Sequence, residues 1–175
     1  MGRAQSLAIA LLCTAWMAIG PAAGLVGWAG FAGCTAYFTS PRKGADGLPM
    51  LFASVGSGSL FAFISLLLGS LAGSGVLGYA VGLGMTCVTT YLMCADARFD
   101  ILGFISGAFI GSFSTFAAGG SPMVVPSLAV GILLGLACDK AGQAAAHRAE
   151  GRKVQSRSTQ ATDVTICLFR QAVSP

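Results

Sequence analysis

Apolar residues run through this chain in long stretches that no charge interrupts. There are 38 uncharged residues between Arg3 and Arg42, 49 between Asp46 and Asp96, and 38 between Asp100 and Asp139. A helix rises about 1.5 Å per residue, so crossing a hydrocarbon core of about 30 Å takes about 20 residues. Each stretch is therefore long enough for two crossings joined by an uncharged turn. Helix breakers mark the turns: Gly20-Pro21 in the first stretch, Gly69-Ser70 and Gly73-Ser74-Gly75 in the second, and Gly119-Gly120-Ser121-Pro122 in the third. The pattern predicts an all-α membrane protein of six helices, at about 4–20, 22–40, 48–71, 74–95, 101–118 and 122–138.

Composition points the same way. Hydrophobic residues make up 55% of the 175 and charged residues 9%, against about 25% charged in a soluble domain. So few charges cannot clothe a soluble globule, which excludes a soluble domain, a disordered chain and a nucleic-acid binder. The charges are also partitioned. Arg3, Arg42, Lys43, Arg98, Lys140, Arg148, Arg152, Lys153, Arg157 and Arg170 all fall on one side of a six-crossing chain, and the three opposite turns carry no charge. The positive-inside rule then places both termini in the cytoplasm. The alternative for Met1–Gly24 is a secretory signal, with Arg3, an apolar run and a small-residue stretch from Ala18; its cleavage would leave five crossings with the same loop orientation.

Residues 1–140 thus form the membrane domain and 141–175 a basic tail. The part to about Arg152 can extend the last helix; the rest reads as disordered and suited to rest on lipid headgroups.

The second and fifth segments share a motif. Phe31-Ala-Gly33-Cys34-Thr35-Ala36-Tyr37-Phe38 and Phe109-Ile-Gly111-Ser112-Phe113-Ser114-Thr115-Phe116 both read Phe-x-Gly-small-x-small-x-Phe, 78 residues apart. Pro49 and Pro126 then open the next helices, where a first-turn proline sacrifices no hydrogen bond. Halves of three segments each would enter the membrane from opposite faces, an inverted repeat of the kind found in transporters.

The candidate chemistry is sparse. No His, Asp or Glu lies inside a predicted crossing, so a proton relay, a metal centre or a catalytic triad lacks its parts. No enzyme, cofactor or metal is expected. The six cysteines form no CxxC pair and read as small apolar residues. Gly103-xxx-Gly107-xxx-Gly111, Gly78-xxx-Gly82 and Gly131-xxx-Gly135 read as helix-packing faces. Asp96, Arg98 and Asp100 in one loop and Arg42, Lys43 and Asp46 in another read as headgroup anchors, or as a cytoplasmic gate.

The stretch Trp28-Ala-Gly-Phe-Ala-Gly-Cys-Thr-Ala-Tyr-Phe38 with Pro41 and Gly44 resembles the YcdZ-type family of small bacterial inner-membrane proteins, a family of unknown function. A second signature agrees: Phe109-Ile-Gly111, Thr115-Phe-Ala117, Val125-Pro-Ser-Leu-Ala129 and Gly131. The resemblance covers roughly residues 5–142. It implies a multi-pass inner-membrane protein and brings no catalytic residue.

The expected function is a channel or facilitator for a small uncharged solute, assembled as a homo-oligomer in the bilayer. Its pathway would run between segments two and five. Phe31, Phe38, Phe109 and Phe116 would form constrictions, and Gly33, Cys34, Thr35, Gly111, Ser112 and Ser114 the wall. On that reading Gly111→Leu blocks flux while leaving folded protein. The alternative is a non-transporting partner or assembly subunit, for which the two motifs are packing.

Overall fold

The computed structural model describes residues 3–73, 75–146 and 148. Among these residues six α-helices follow one another: α1 (Arg3–Ala22), α2 (Gly27–Thr39), α3 (Leu48–Leu71), α4 (Val76–Asp96), α5 (Ile105–Ala117) and α6 (Val124–Ala146). A 3-10 turn at Ala45–Gly47 leads into α3. No strand occurs among the described residues. Among the described residues three helical stretches are long and apolar enough to cross a membrane: Ala45–Leu71, Val76–Asp96 and Val124–Ala146.

Two helices are shorter than their sequence suggests. α2 and α5 have 13 residues each, which is about 20 Å of helix, where the charge-free stretches predicted 22–40 and 101–118. The first lost turn follows from Gly24, whose φ of +72° breaks the helical path, and from Val26, which is extended. The second follows from the turn after Asp100 and the non-helical Phe104. Gly103 therefore precedes α5 and does not share a helix face with Gly107 and Gly111. The break expected at Gly20-Pro21 also moves: α1 runs through both residues to Ala22. On α6 the helix continues to Ala146, while the remainder of the expected tail, from residue 149, lies outside the described residues.

Irregular backbone among apolar helices needs partners for its polar groups. The Val26 N–H donates to Ser127 Oγ on α6 at 2.9 Å. At the other end of α2, Lys43 Nζ donates to the Tyr37 carbonyl at 3.2 Å and to the Phe38 carbonyl, placing a cation at the negative end of the helix. Pro49 sits in the first turn of α3, as the sequence implies.

The helices pack through glycine. A Cβ on Gly33 would collide with the Leu128 carbonyl of α6, and one on Gly131 with the Gly30 carbonyl of α2. Likewise a Cβ on Gly111 would collide with the Val55 carbonyl of α3, and one on Gly58 with the Ala108 carbonyl of α5. Val26 on Ser127 and Tyr37 on Asp139 advance together along α2 and α6, as Gly107 on Ser54 and Gly111 on Ser59 do along α5 and α3, so α2 runs parallel to α6 and α3 parallel to α5. α4 packs on α3, and α1 on α2. Between α1 and α2 the Trp16 indole lies against Gly30 and donates to the Gly27 carbonyl at 2.9 Å.

The four glycine contacts are two copies of one arrangement. Gly33 on Leu128 corresponds to Gly111 on Val55, and Gly131 on Gly30 to Gly58 on Ala108. Residues 29–37 and 107–115 share one sequence of buried and exposed positions, and 51–65 nearly repeats in 124–138. The second match sits one helical turn from the register that Pro49 and Pro126 suggest.

Large apolar side chains cover the outside. Leu71 is 75% exposed, Val76 87% and Leu77 69%. Soluble monomers seldom expose continuous apolar surface of this kind; a bilayer solvates it.

Candidate functional site

The shared motif of α2 and α5 lies in helix contacts. Gly33, Cys34, Gly111, Ser112 and Ser114 are buried, and at the two glycines a neighbouring backbone already occupies the space a side chain would need. Phe31, Phe109 and Phe116 are exposed, Phe38 is half-buried, and Thr35 is exposed with its hydroxyl donating to the Phe31 carbonyl at 2.9 Å. α2 and α5 do meet, through Trp28 and Phe113, whose ring centroids are 6.3 Å apart. The contact is aromatic packing rather than a polar wall.

The expected glycine faces divide as well. Gly131 and Gly135 pack on α2, Gly135 against the Tyr37 side chain. Gly107 packs against the Phe104 ring and Ser54. A Cβ on Gly78 would collide with the Gly73 carbonyl of the preceding turn and approach the Gly69 carbonyl at the end of α3, and one on Gly82 would have nothing within 4 Å.

Gly78 and Gly82 instead line a cleft of about 510 Å³ between the C-terminal end of α3, the N-terminal half of α4 and Phe116 of α5. Its polar lining is glycine backbone with Ser65, Ser70, Tyr79 and Thr86. Thr86 donates to the Gly82 carbonyl at 2.9 Å and Ser70 to the Leu67 carbonyl at 2.7 Å. Ser65 Oγ is buried without a hydrogen-bond partner. No acidic or basic residue lines the cleft among the described residues. From the α3–α4 turn it reaches Thr86, about 15 Å along α4 at 1.5 Å per residue. Beyond Thr86 on the same helix, Thr89 and Met93 are buried.

The charged loops do not pair with each other: no ion pair joins Arg42, Lys43 or Asp46 to Asp96, Arg98 or Asp100 among the described residues. Lys43 caps α2, and Arg98 Nε donates to the Ala95 carbonyl at 2.9 Å. The acid that does bridge elements is Asp139 of α6. Its carboxylate accepts from the Tyr37 hydroxyl at 2.9 Å, and that hydroxyl in turn accepts from the Gly44 N–H at 3.1 Å.

Sequence spacing missed two features. The cleft arises from helices that pack apart where glycine leaves no side chain to fill the gap. The second is the meeting of Cys13, Cys34 and Cys138, whose sulfurs lie within 4.8 Å of one another. Residues so distant along the chain give no local spacing signal.

The sequence profile of a family described as a protein of unknown function, DUF1097, matches residues 6–143. The chain is 40% identical over 129 residues to the Inner membrane protein YcdZ of Escherichia coli K12, covering 73% of this chain and 76% of that protein. It is 36% identical over 139 residues to the Inner membrane protein YcdZ of Salmonella typhimurium, covering 78% and 84%. No solved structure matches.

Proposed function

The chain belongs to the DUF1097 family, and from that premise we propose that it is an inner-membrane facilitator for a small uncharged solute. It crosses the bilayer six times, as two three-helix halves of opposite orientation with both termini cytoplasmic. The solute enters through the cleft between α3 and α4, and not between α2 and α5.

The parallel pairings support the topology. In a chain that alternates direction at every crossing, the second and sixth helices run the same way, as do the third and fifth. The duplicated glycine contacts support the inversion: exchanging the halves turns the α2–α6 pair into the α5–α3 pair. α2 and α5 complete their crossings with the extended residues before them, as broken helices do in membrane carriers. The relatives' name supports the location.

The cleft carries the functional reading. Its wall offers hydroxyl and carbonyl groups with no charge, which suits a neutral solute and gives an ion no countercharge. The cleft opens at the uncharged α3–α4 turn and stops at Thr89 and Met93, so this conformation is open toward the outer face and closed toward the cytoplasm.

Stopped-flow light scattering on proteoliposomes tests the proposal with water, glycerol, urea and ammonia as a panel. A protein-dependent rate for one of these is expected. Rates equal to those of empty vesicles across the panel would contradict it.

A further inference from the structure

Three thiols converge where α1, α2 and α6 meet. The sulfurs of Cys13, Cys34 and Cys138 lie within 4.8 Å of one another. Cys34 is 5% exposed, Cys138 is fully buried and Cys13 is half-buried. Each comes from a different helix, so the cluster exists only in the folded protein. No His, Asp or Glu joins it among the described residues.

We infer that this cluster is a binding site for one soft monovalent metal ion, Cu(I), held by the three sulfurs. Donor type and number decide the ion. Sulfur-only sets select soft ions such as Cu(I), and closed zinc sites take four ligands where this one supplies three. Metal–sulfur bonds of about 2.3 Å set three sulfurs in a trigonal plane about 4.0 Å apart. The thiols need to close by no more than about 0.8 Å from their present limit to reach that geometry.

Packing alone does not call for sulfur here. In the duplicated register, Cys34 corresponds to Ser112 and Cys138 to Ser65, both also buried. Serine therefore fills the same two positions in the other half. Cys138 adjoins Asp139 and Lys140, the end of α6 that the proposed topology places at the cytoplasmic rim, where thiols stay reduced. That location rests on the proposed topology; the site does not. Binding displaces thiol protons. Two thiolates and one neutral thiol leave a single negative charge on the complex, and affinity rises with pH.

The test uses the full chain, purified in detergent under anaerobic reducing conditions and titrated with Cu(I) against the chelator bicinchoninate. One Cu(I) per chain is expected. Cys13→Ser, Cys34→Ser and Cys138→Ser each weaken binding by more than about 100-fold, beyond the loss of an outer-shell partner. A Cys87→Ser/Cys94→Ser double variant, altering the exposed cysteines of α4, binds as the native chain does. A serine variant that fails to fold also loses copper, so X-ray absorption on the copper-loaded native chain decides independently. It shows sulfur neighbours alone, at about 2.3 Å. Failure of the native chain to hold Cu(I) against the chelator overturns the site, as do nitrogen or oxygen neighbours or full retention by the triple serine variant.

Discussion

The Tyr37 hydroxyl donates a 2.9 Å hydrogen bond to the Asp139 carboxylate, tying the C-terminal turn of α2 to α6. The same oxygen accepts the Gly44 N–H, so the loop that follows α2 is held at this point as well. Tyr37 is 1% exposed. One side chain thus fastens two helices and a loop at the end of the bundle where the cations gather.

Tyr37→Phe keeps the buried ring and removes the hydroxyl. A hydrogen bond to a charged group contributes about 1.5–3 kcal/mol. The variant is expected to fold and to unfold at lower temperature in detergent. Thermal unfolding monitored by size-exclusion of the heated protein measures this; an unchanged midpoint would mean that the latch contributes nothing to the fold.

Glycine substitutions should separate contact from open surface. Gly33→Ala and Gly111→Ala drive a methyl group into the carbonyls of Leu128 and Val55, and overpacking typically costs about 1–3 kcal/mol. Gly56, also helical, has nothing within 4 Å, so Gly56→Ala gains about 0.5–1 kcal/mol from backbone entropy. Yield and melting temperature of the three variants check the order. It follows that Gly111→Leu reports on folding and cannot serve as a clean block of flux.

Much of this fold is legible in the charge pattern, because a charge inside a crossing is costly and its absence over dozens of residues is informative. Boundaries of α3 and α4 follow from it directly. Those of α2 and α5 do not, since extended residues such as Val26 are as apolar as helical ones and are satisfied by a distant group, Ser127. The Phe-flanked motif is visible in sequence, but which neighbour it meets depends on helix pairing: Gly33 lies on α6, and Gly111 on α3. The cleft and the cysteine cluster depend on that pairing too. Gly82 and Gly33 look alike in sequence, yet one faces open space and the other a carbonyl.

Topology is accessible to single reporter cysteines in a background where the native cysteines are serine. Ser121 lies in the α5–α6 turn and Ala97 just after α4. Ser121→Cys is expected to react with an impermeant maleimide in spheroplasts, and Ala97→Cys only after lysis. Labelling from the reverse sides, or of both from one side, would contradict the six-crossing arrangement.

Gly82→Leu tests the central claim most directly. A Cβ at Gly82 would meet no other atom within 4 Å, and the residue lines the cleft; leucine favours the helix over glycine by most of about 1 kcal/mol. The variant therefore folds while filling the cleft. In stopped-flow measurements on matched proteoliposomes, the solute rate of the native chain is expected to fall to that of empty vesicles in Gly82→Leu. An undiminished rate in the folded variant would contradict passage through the α3–α4 cleft.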